Sequence, residues 1–254
     1  MAGITLTDVR KSYAGNQVIH GISTRIADGE FVVIVGPSGC GKSTLLHLAA
    51  GLEKPTQGAV LADGQAVSGP HPSRTLVFQE HALYPWLTLL DNVALALEFQ
   101  KAPKARAREA ARQWLARVSL AGFEDYYPHQ VSGGMRQRAA LARAFIAQPQ
   151  TLLMDEPFGA LDNQTRVLMQ ELLLGIWEAE RKTVMFVTHD IDEAIFMANR
   201  VAVFSARPGR IKSEIAVHLP HPRHYRVKTS PEFMELKARL TEEIRAESMA
   251  AEAH

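Results

Sequence analysis

Cysteine is almost missing from this chain: Cys40 is the single one among 254 residues. Without a second thiol no internal disulfide forms, and the composition suits a reducing compartment. An excess of either charge is missing too, since 28 Lys and Arg face 27 Asp and Glu for a net charge of +1. Charge alone therefore argues for neither a nucleic-acid surface nor an anionic membrane surface. No apolar run approaches the roughly 18 residues of a membrane span. Residues 1–10 alternate polar and apolar side chains and carry no apolar leader stretch, which predicts a cytoplasmic protein whose membrane role, if it has one, comes through a partner. Internal repeats and low-complexity tracts are also lacking. What is present is ordinary for a globular chain, 46% hydrophobic and 22% charged, with room for one large domain carrying an inserted subdomain.

Residues 35–44 organise the rest. Val35 closes an apolar run that begins at Phe31 and reads as a buried strand, and Leu45 opens a helical pattern. Between them stand Gly36, Pro37, Ser38, Gly39, Cys40, Gly41, Lys42, Ser43 and Thr44. Glycines at 36, 39 and 41 let backbone N–H groups turn inward around an anion, and the following helix points its positive end at the same place. Lys42 then reaches the β- and γ-phosphates, and the Ser43 hydroxyl is suited to ligate Mg2+. The expectation is a nucleotide-binding phosphate loop.

Around this loop the chain changes character twice. Ile4, Leu6 and Val9, then residues 18–26, alternate in the manner of half-buried strands, and Asp63-Gly64 marks a second hairpin after residues 59–61. Together they predict an antiparallel layer beside the phosphate-loop strand. Residues 75–78 read as a further strand ending at Gln79. From about 80 to 148 strand signals vanish: Trp114, Leu115 and Val118 share a face of one helix, and residues 139–146 form another that stops before Pro149. This predicts an inserted helical subdomain. Strand character returns at 151–154, 183–187 and 201–204, which points to a largely parallel sheet with helices on both faces. A cassette over 1–220 is expected, then a Pro/His/Arg linker and an amphipathic helix within 221–254, capped by Ser230 and Pro231 and repeating apolar residues at Phe233, Leu236, Leu240 and Ile244. That helix is read as packing on its own domain.

Two more motifs carry chemistry. Residues 152–157 put Asp155 and Glu156 at the C-terminal end of a buried strand, where open α/β sheets gather ligands. Asp155 would hold Mg2+ and Glu156 would act as general base on an attacking water. Ser132, Gly133 and Gly134 precede a helix that continues with Arg136, Gln137 and Arg138, a second cradle for an anion. At this point the chain resembles the ATP-binding cassette family, the motor subunits of ABC transporters, from Tyr13 to about Arg210 and with the motifs in the family's order.

The resemblance implies an α/β fold: a RecA-like P-loop NTPase core with a mostly parallel sheet, an antiparallel β layer and the helical insertion. It makes Tyr13 the aromatic that stacks on adenine, Gln79 the glutamine that senses Mg2+ and the attacking water, and His189 the histidine that holds the γ-phosphate. Residues 159–162, ending in Asp162, become the loop that meets an opposing subunit. Two positions depart from the family's pattern: Met135 stands where Gln is commonest, and Val131 where Leu is usual. Neither touches Ser132, Gly133 or Gly134, so only a polar contact near the ribose is affected.

A homodimer closed on two ATP molecules follows from the resemblance, with ATP and Mg2+ as cofactors. Closure would be the power stroke and hydrolysis the reset. Tyr84 and Trp86, beside Pro85 in residues 80–88, read either as core of the helical subdomain or as a groove for a short cytoplasmic helix of an integral membrane permease. A cassette without spans resembles an importer motor, and residues 83–87, 206–211 and 230–233 look like the branch serving nitrate, aliphatic sulfonates and taurine. Such a motor would work with a solute-binding protein only indirectly, sit on the cytoplasmic face of the inner membrane, and have no nucleic-acid partner. Alternatives of other classes are a soluble cassette ATPase of DNA repair or translation, and a small-molecule kinase. The repair type inserts long coiled coils and the translation type doubles the cassette, whereas a kinase has no use for Ser132 or His189. His218, His221 and His224 are read as solvated surface rather than a metal site, and Cys40 as a thiol whose alkylation would block nucleotide if it is exposed.

Overall fold

The computed structural model describes residues 3–79 and 82–252. Strands β1 (Ile4–Tyr13) and β2 (Asn16–Ile26) pair antiparallel, Ile4 opposite Ile26 and Tyr13 opposite Asn16. Strand β3 (Phe31–Val35) follows, buried at every position, as a strand covered on both faces must be. Helix α1 (Lys42–Ala50) ends at Gly51, and β4 (Gln57–Ala62) and β5 (Gln65–Ala66) form the expected hairpin. Asp63 (φ 55°) and Gly64 (φ 76°) both take the left-handed conformation that its two-residue turn demands. The four strands form an antiparallel sheet in the order β2-β1-β4-β5.

Strand β6 (Arg74–Val77) leads into the helical subdomain: α2 (Leu89–Phe99), α3 (Lys104–Arg117) and α4 (Gly133–Ile146), with a single 3-10 turn at Pro128–Gln130. Thr88 caps α2 by accepting from the Asp91 N–H at 3.1 Å. Helix α3 buries Ala107, Ala111 and Leu115, one residue per turn, and Val118 is buried just past its end. After α4 come β7 (Thr151–Asp155), α5 (Asn163–Glu180), β8 (Thr183–Val187), α6 (Ile191–Met197), β9 (Arg200–Phe204), β10 (Ile211–Ala216) and α7 (Pro231–Glu252).

The second sheet runs β10-β9-β3-β8-β7-β6, parallel except for the antiparallel pair β9/β10. One of its faces packs with α1 and the antiparallel sheet around Ile34, Leu46, Leu153 and Phe204; the opposite face packs with the remaining helices around Phe31, Trp177 and Phe186. Helices do lie on both faces, but one face holds α1 alone and completes its cover with the β layer. Trp177 anchors the second core: its ring meets Phe31 edge-on at 6.0 Å, and its indole N–H donates to the Gly29 carbonyl at 3.0 Å. Two elements differ from expectation. Strand β10 was not anticipated, and the stretch from Pro220 holds Arg223 only 4% exposed. Helix α7 buries Phe233 and Leu240, and Ser230 Oγ accepts from the Phe233 N–H at 3.2 Å.

Candidate functional site

The loop between β3 and α1 is shaped by glycine. Gly41 has φ 103°, a region closed to side-chain-bearing residues, and a Cβ there would meet Val18 and Ile19 at 3.1 Å. Lys42, 8% exposed, folds back over the loop so that its ammonium donates to the carbonyls of Gly36 and Pro37, each at 2.8 Å. The loop thus holds a buried cation in its concavity, with the N-terminus of α1 behind it. Ser38 and Ser43 are exposed at the mouth and Gly39 is open to solvent. Cys40 departs from its expected role: it is 1% exposed, and burial pushes its thiol up despite Lys42 nearby. It is a small core side chain, not a site for ready alkylation.

Parallel register explains how the reactive side chains meet. Val77 of β6 stands beside Met154 of β7, and Asp155 of β7 beside Val187 of β8. Gln79, Glu156 and His189 each lie one or two residues past these pairs, so three neighbouring strands deliver them to one place. Glu156 Oε2 accepts from Gln79 Nε2 at 3.3 Å and lies 3.2 Å from His189 Nδ1. Glu156 itself has φ 44°, and its N–H donates to the Val187 carbonyl at 2.9 Å. A non-glycine residue held left-handed marks a carboxylate aimed by its backbone. The preceding Asp155 is 7% exposed, and burial raises its carboxyl pKa while a hydrogen bond from Ser43 works against that. A buried carboxyl at a strand end, facing the Ser43 hydroxyl, fits a ligand of a divalent cation, whose charge would offset the desolvation. Beside this cluster a cleft of about 620 Å³ is walled by Gln79, Arg136, Glu156, Gly159 and His189.

Tyr13 ends β1 at the far side of the loop, 41% exposed, and its hydroxyl donates to Glu53 Oε2. Lys11 anchors both, 2.9 Å from Glu53 and 4.8 Å from the ring centre. A hydrogen bond also joins Tyr13 to Thr44, which puts the ring at the edge of the phosphate loop. The structure therefore brings Tyr13, residues 36–44, Asp155, Gln79, Glu156 and His189 to one end of the sheets.

Ser132, Gly133 and Gly134 lie elsewhere. Ser132 caps α4, its Oγ accepting from the Met135 N–H at 3.2 Å. Gly134 abuts Leu161 and Ala160 of the loop that Asp162 closes by capping α5. Among the described residues no hydrogen bond or ion pair links Ser132 to the phosphate loop. Met135 packs on the apolar core in place of a polar contact. Gln137, which the sequence places only on the helix after Ser132, is 1% exposed, and its amide donates to the Pro157 carbonyl at 2.7 Å and ties α4 to the loop after Glu156. A buried amide on a helix gives no local signal. His221 also differs from expectation: rather than solvated, its Nδ1 is 2.8 Å from Glu178 and its ring 5.1 Å from Trp177. His218 and His224 are exposed, and among the described residues no group of three or more His, Cys, Asp or Glu is placed to hold a metal.

Comparison with known proteins agrees with this geometry. A family model described as ABC transporter matches residues 19–159. A putative ATP-binding protein of Brucella abortus is 49% identical over 93% of this chain and 91% of its own length. An aliphatic sulfonates import ATP-binding protein of Bacillus cereus is 45% identical over 89% of this chain and 88% of its own. Among solved structures, a dimeric ATP-binding cassette in a post-hydrolysis state, bound to ADP and Pi, superposes with TM-score 0.78 at 33% identity, covering 85% of this chain and all of that one.

Proposed function

This chain belongs to the ABC transporter family as an ATP-binding, ATP-hydrolysing subunit, and from that premise we propose that it is the motor of a bacterial-type importer. It would drive uptake of a small anionic solute of the nitrate, sulfonate or taurine kind through a separate permease. Support for this branch is the likeness to the Bacillus cereus sulfonate-import subunit, and among the described residues no helix is long and apolar enough to cross a membrane.

Hydrolysis needs positioned charge and an oriented water rather than covalent chemistry. Lys42 would exchange its two carbonyl partners for β- and γ-phosphate oxygens, and residues 36–44 would supply backbone N–H groups around the triphosphate. Ser43, Gln79 and Asp155 would hold Mg2+, which offsets phosphate charge. Glu156 would take the proton of the attacking water, with Gln79 orienting that water and His189 meeting the γ-phosphate. Tyr13 would stack on the adenine. Ser132, Gly133 and Gly134 would face the nucleotide of a second copy of this chain, since their place on α4 leaves them outside their own loop's contacts; dimers among the structural neighbours support this.

The observation that carries the transport half is a groove of about 440 Å³ between β6 and the helical subdomain, lined by Leu76, Phe78, Tyr84, Phe99 and Arg143. Phe99 is 75% exposed, and Trp86, 69% exposed, meets Tyr84 in a tilted ring contact at 5.4 Å. Glu80 and His81, which open this stretch, lie outside the described residues. Apolar surface of this kind fits a short helix from the permease, and a peripheral place on the cytoplasmic face of the inner membrane follows. Pull-down from detergent-solubilised membranes tests the reading. The tagged parental chain should recover an integral permease, and Phe99→Asp should lose it while the purified variant keeps its ATPase activity. Recovery of ribosomes or DNA, or of the same permease with Phe99→Asp, would count against it.

A further inference from the structure

Residues past β10 take no part in the site above, yet their hydrogen bonds run toward it. Arg223 donates through Nη1 to the carbonyls of Ile195 (3.2 Å), Phe196 (3.0 Å) and Ala198 (2.8 Å), and through Nη2 to Leu219 at 3.2 Å. The first three are carbonyls at the C-terminal end of α6, groups that a helix end leaves without internal partners. Burial pushes the guanidinium down to about 10, so it stays charged at neutral pH, and a cation at a helix C-terminus is favourable. At the other end of the same seven-residue helix, Asp190 accepts from the Glu193 N–H at 3.0 Å, directly after His189.

A second line runs from the same segment. Lys228 Nζ lies 4.9 Å from the Phe196 ring centre and donates to Gln170 Oε1 at 3.3 Å. Gln170 Nε2 donates to Glu193 Oε1 at 2.9 Å, and Glu193, 4% exposed, is also hydrogen-bonded to the Thr188 side chain. Thr188 Oγ1 in turn accepts from the Asp190 N–H at 3.1 Å, so the chain of bonds ends on both neighbours of His189. Lys237 completes the grip, 2.8 Å from Asp192 in the first turn of α6. The segment therefore holds the front of α6, its back, and the buried amide and acid beneath it.

We propose that residues 223–237 form a strap that fixes α6 and thereby sets His189 against Glu156, with Arg223 and Lys228 as positioning residues. The proposal rests on the roles given to His189 and Glu156 above. It is tested in the full chain with Lys228→Met and Arg223→Ala, each alone and combined with His189→Ala, by single-turnover ATP hydrolysis, equilibrium affinity for a fluorescent ATP analogue, and thermal unfolding. Lys228→Met should slow hydrolysis about tenfold with nucleotide affinity changed by less than about twofold, a loss confined to the transition state. Lys228→Arg should restore most of the rate. In the His189→Ala background the same change should cost less than about twofold, because residues acting through one group are not additive. Equal losses in both backgrounds, or a parental rate for Lys228→Met, would overturn the strap. Should His189→Ala alone hydrolyse at the parental rate, the role of His189 falls and the strap with it. Lys228 is partly exposed, so its variant keeps the test decisive if Arg223→Ala fails to fold.

Discussion

In the proposed reaction, Glu156 is the residue on which most of the chemistry turns. Its left-handed backbone and its two side-chain partners fix one carboxylate oxygen, which in the proposed reaction activates the water. Glu156→Gln keeps an acceptor for Gln79 but removes the proton-accepting oxyanion. Turnover should fall 100- to 10,000-fold, about 3 to 5 kcal/mol of barrier, while ATP still binds; phosphate release and equilibrium binding measured on one preparation check both halves. A variant that binds no ATP, or hydrolyses at the parental rate, refutes the assignment. Asp155, one residue earlier, is buried at the strand end and its carboxyl is raised by desolvation; we propose for it the separate task of holding the cation.

At the scale of elements, the turn between β9 and β10 buttresses the phosphate loop. Gly209 exchanges backbone bonds with β2, donating to Val18 at 2.8 Å and accepting from His20 at 3.0 Å. A Cβ on it would meet the Cys40 carbonyl at 2.0 Å. Gly209→Ala should therefore displace the loop, destabilising the fold by about 1 to 3 kcal/mol and weakening ATP binding; thermal unfolding with and without nucleotide reads both, and an unchanged variant would show that the turn yields freely. This buttress was hidden from sequence because it joins residues 169 positions apart. The phosphate loop, the β7 carboxylates and the Ser132 cap were legible because each is local, written as residue types at fixed spacing beside a strand or helix. Strand β10 does carry an alternating pattern, Ile211, Ser213 and Ile215 against Lys212 and Glu214, but it is a half-exposed edge next to Pro208 and Gly209, whose turn signal masks it. Gln137, Arg223 and His221 were unreadable for another reason. Their burial is set by what packs over them, and nothing in their own neighbours distinguishes them from surface side chains.

For the molecule as a whole, among the described residues no hydrogen bond or ion pair joins Ser132 to the phosphate loop of its own chain, and we propose that a complete site takes two chains. Mixing separately inactive variants makes that measurable. Lys42→Ala lacks the phosphate lysine, and Ser132→Arg blocks the second cradle. Combined in equal amounts, half of the dimers are mixed, and each mixed dimer has one intact site. Such a mixture should recover about one quarter of the parental ATPase rate, provided that one site turns over alone; no recovery under conditions where the chains exchange would argue that each chain is self-sufficient. A last consequence follows from the ammonium that Lys42 folds onto Gly36 and Pro37. The loop is held in shape by its own positive charge, and we propose that a triphosphate would take the place of the two carbonyls without having to organise slack backbone.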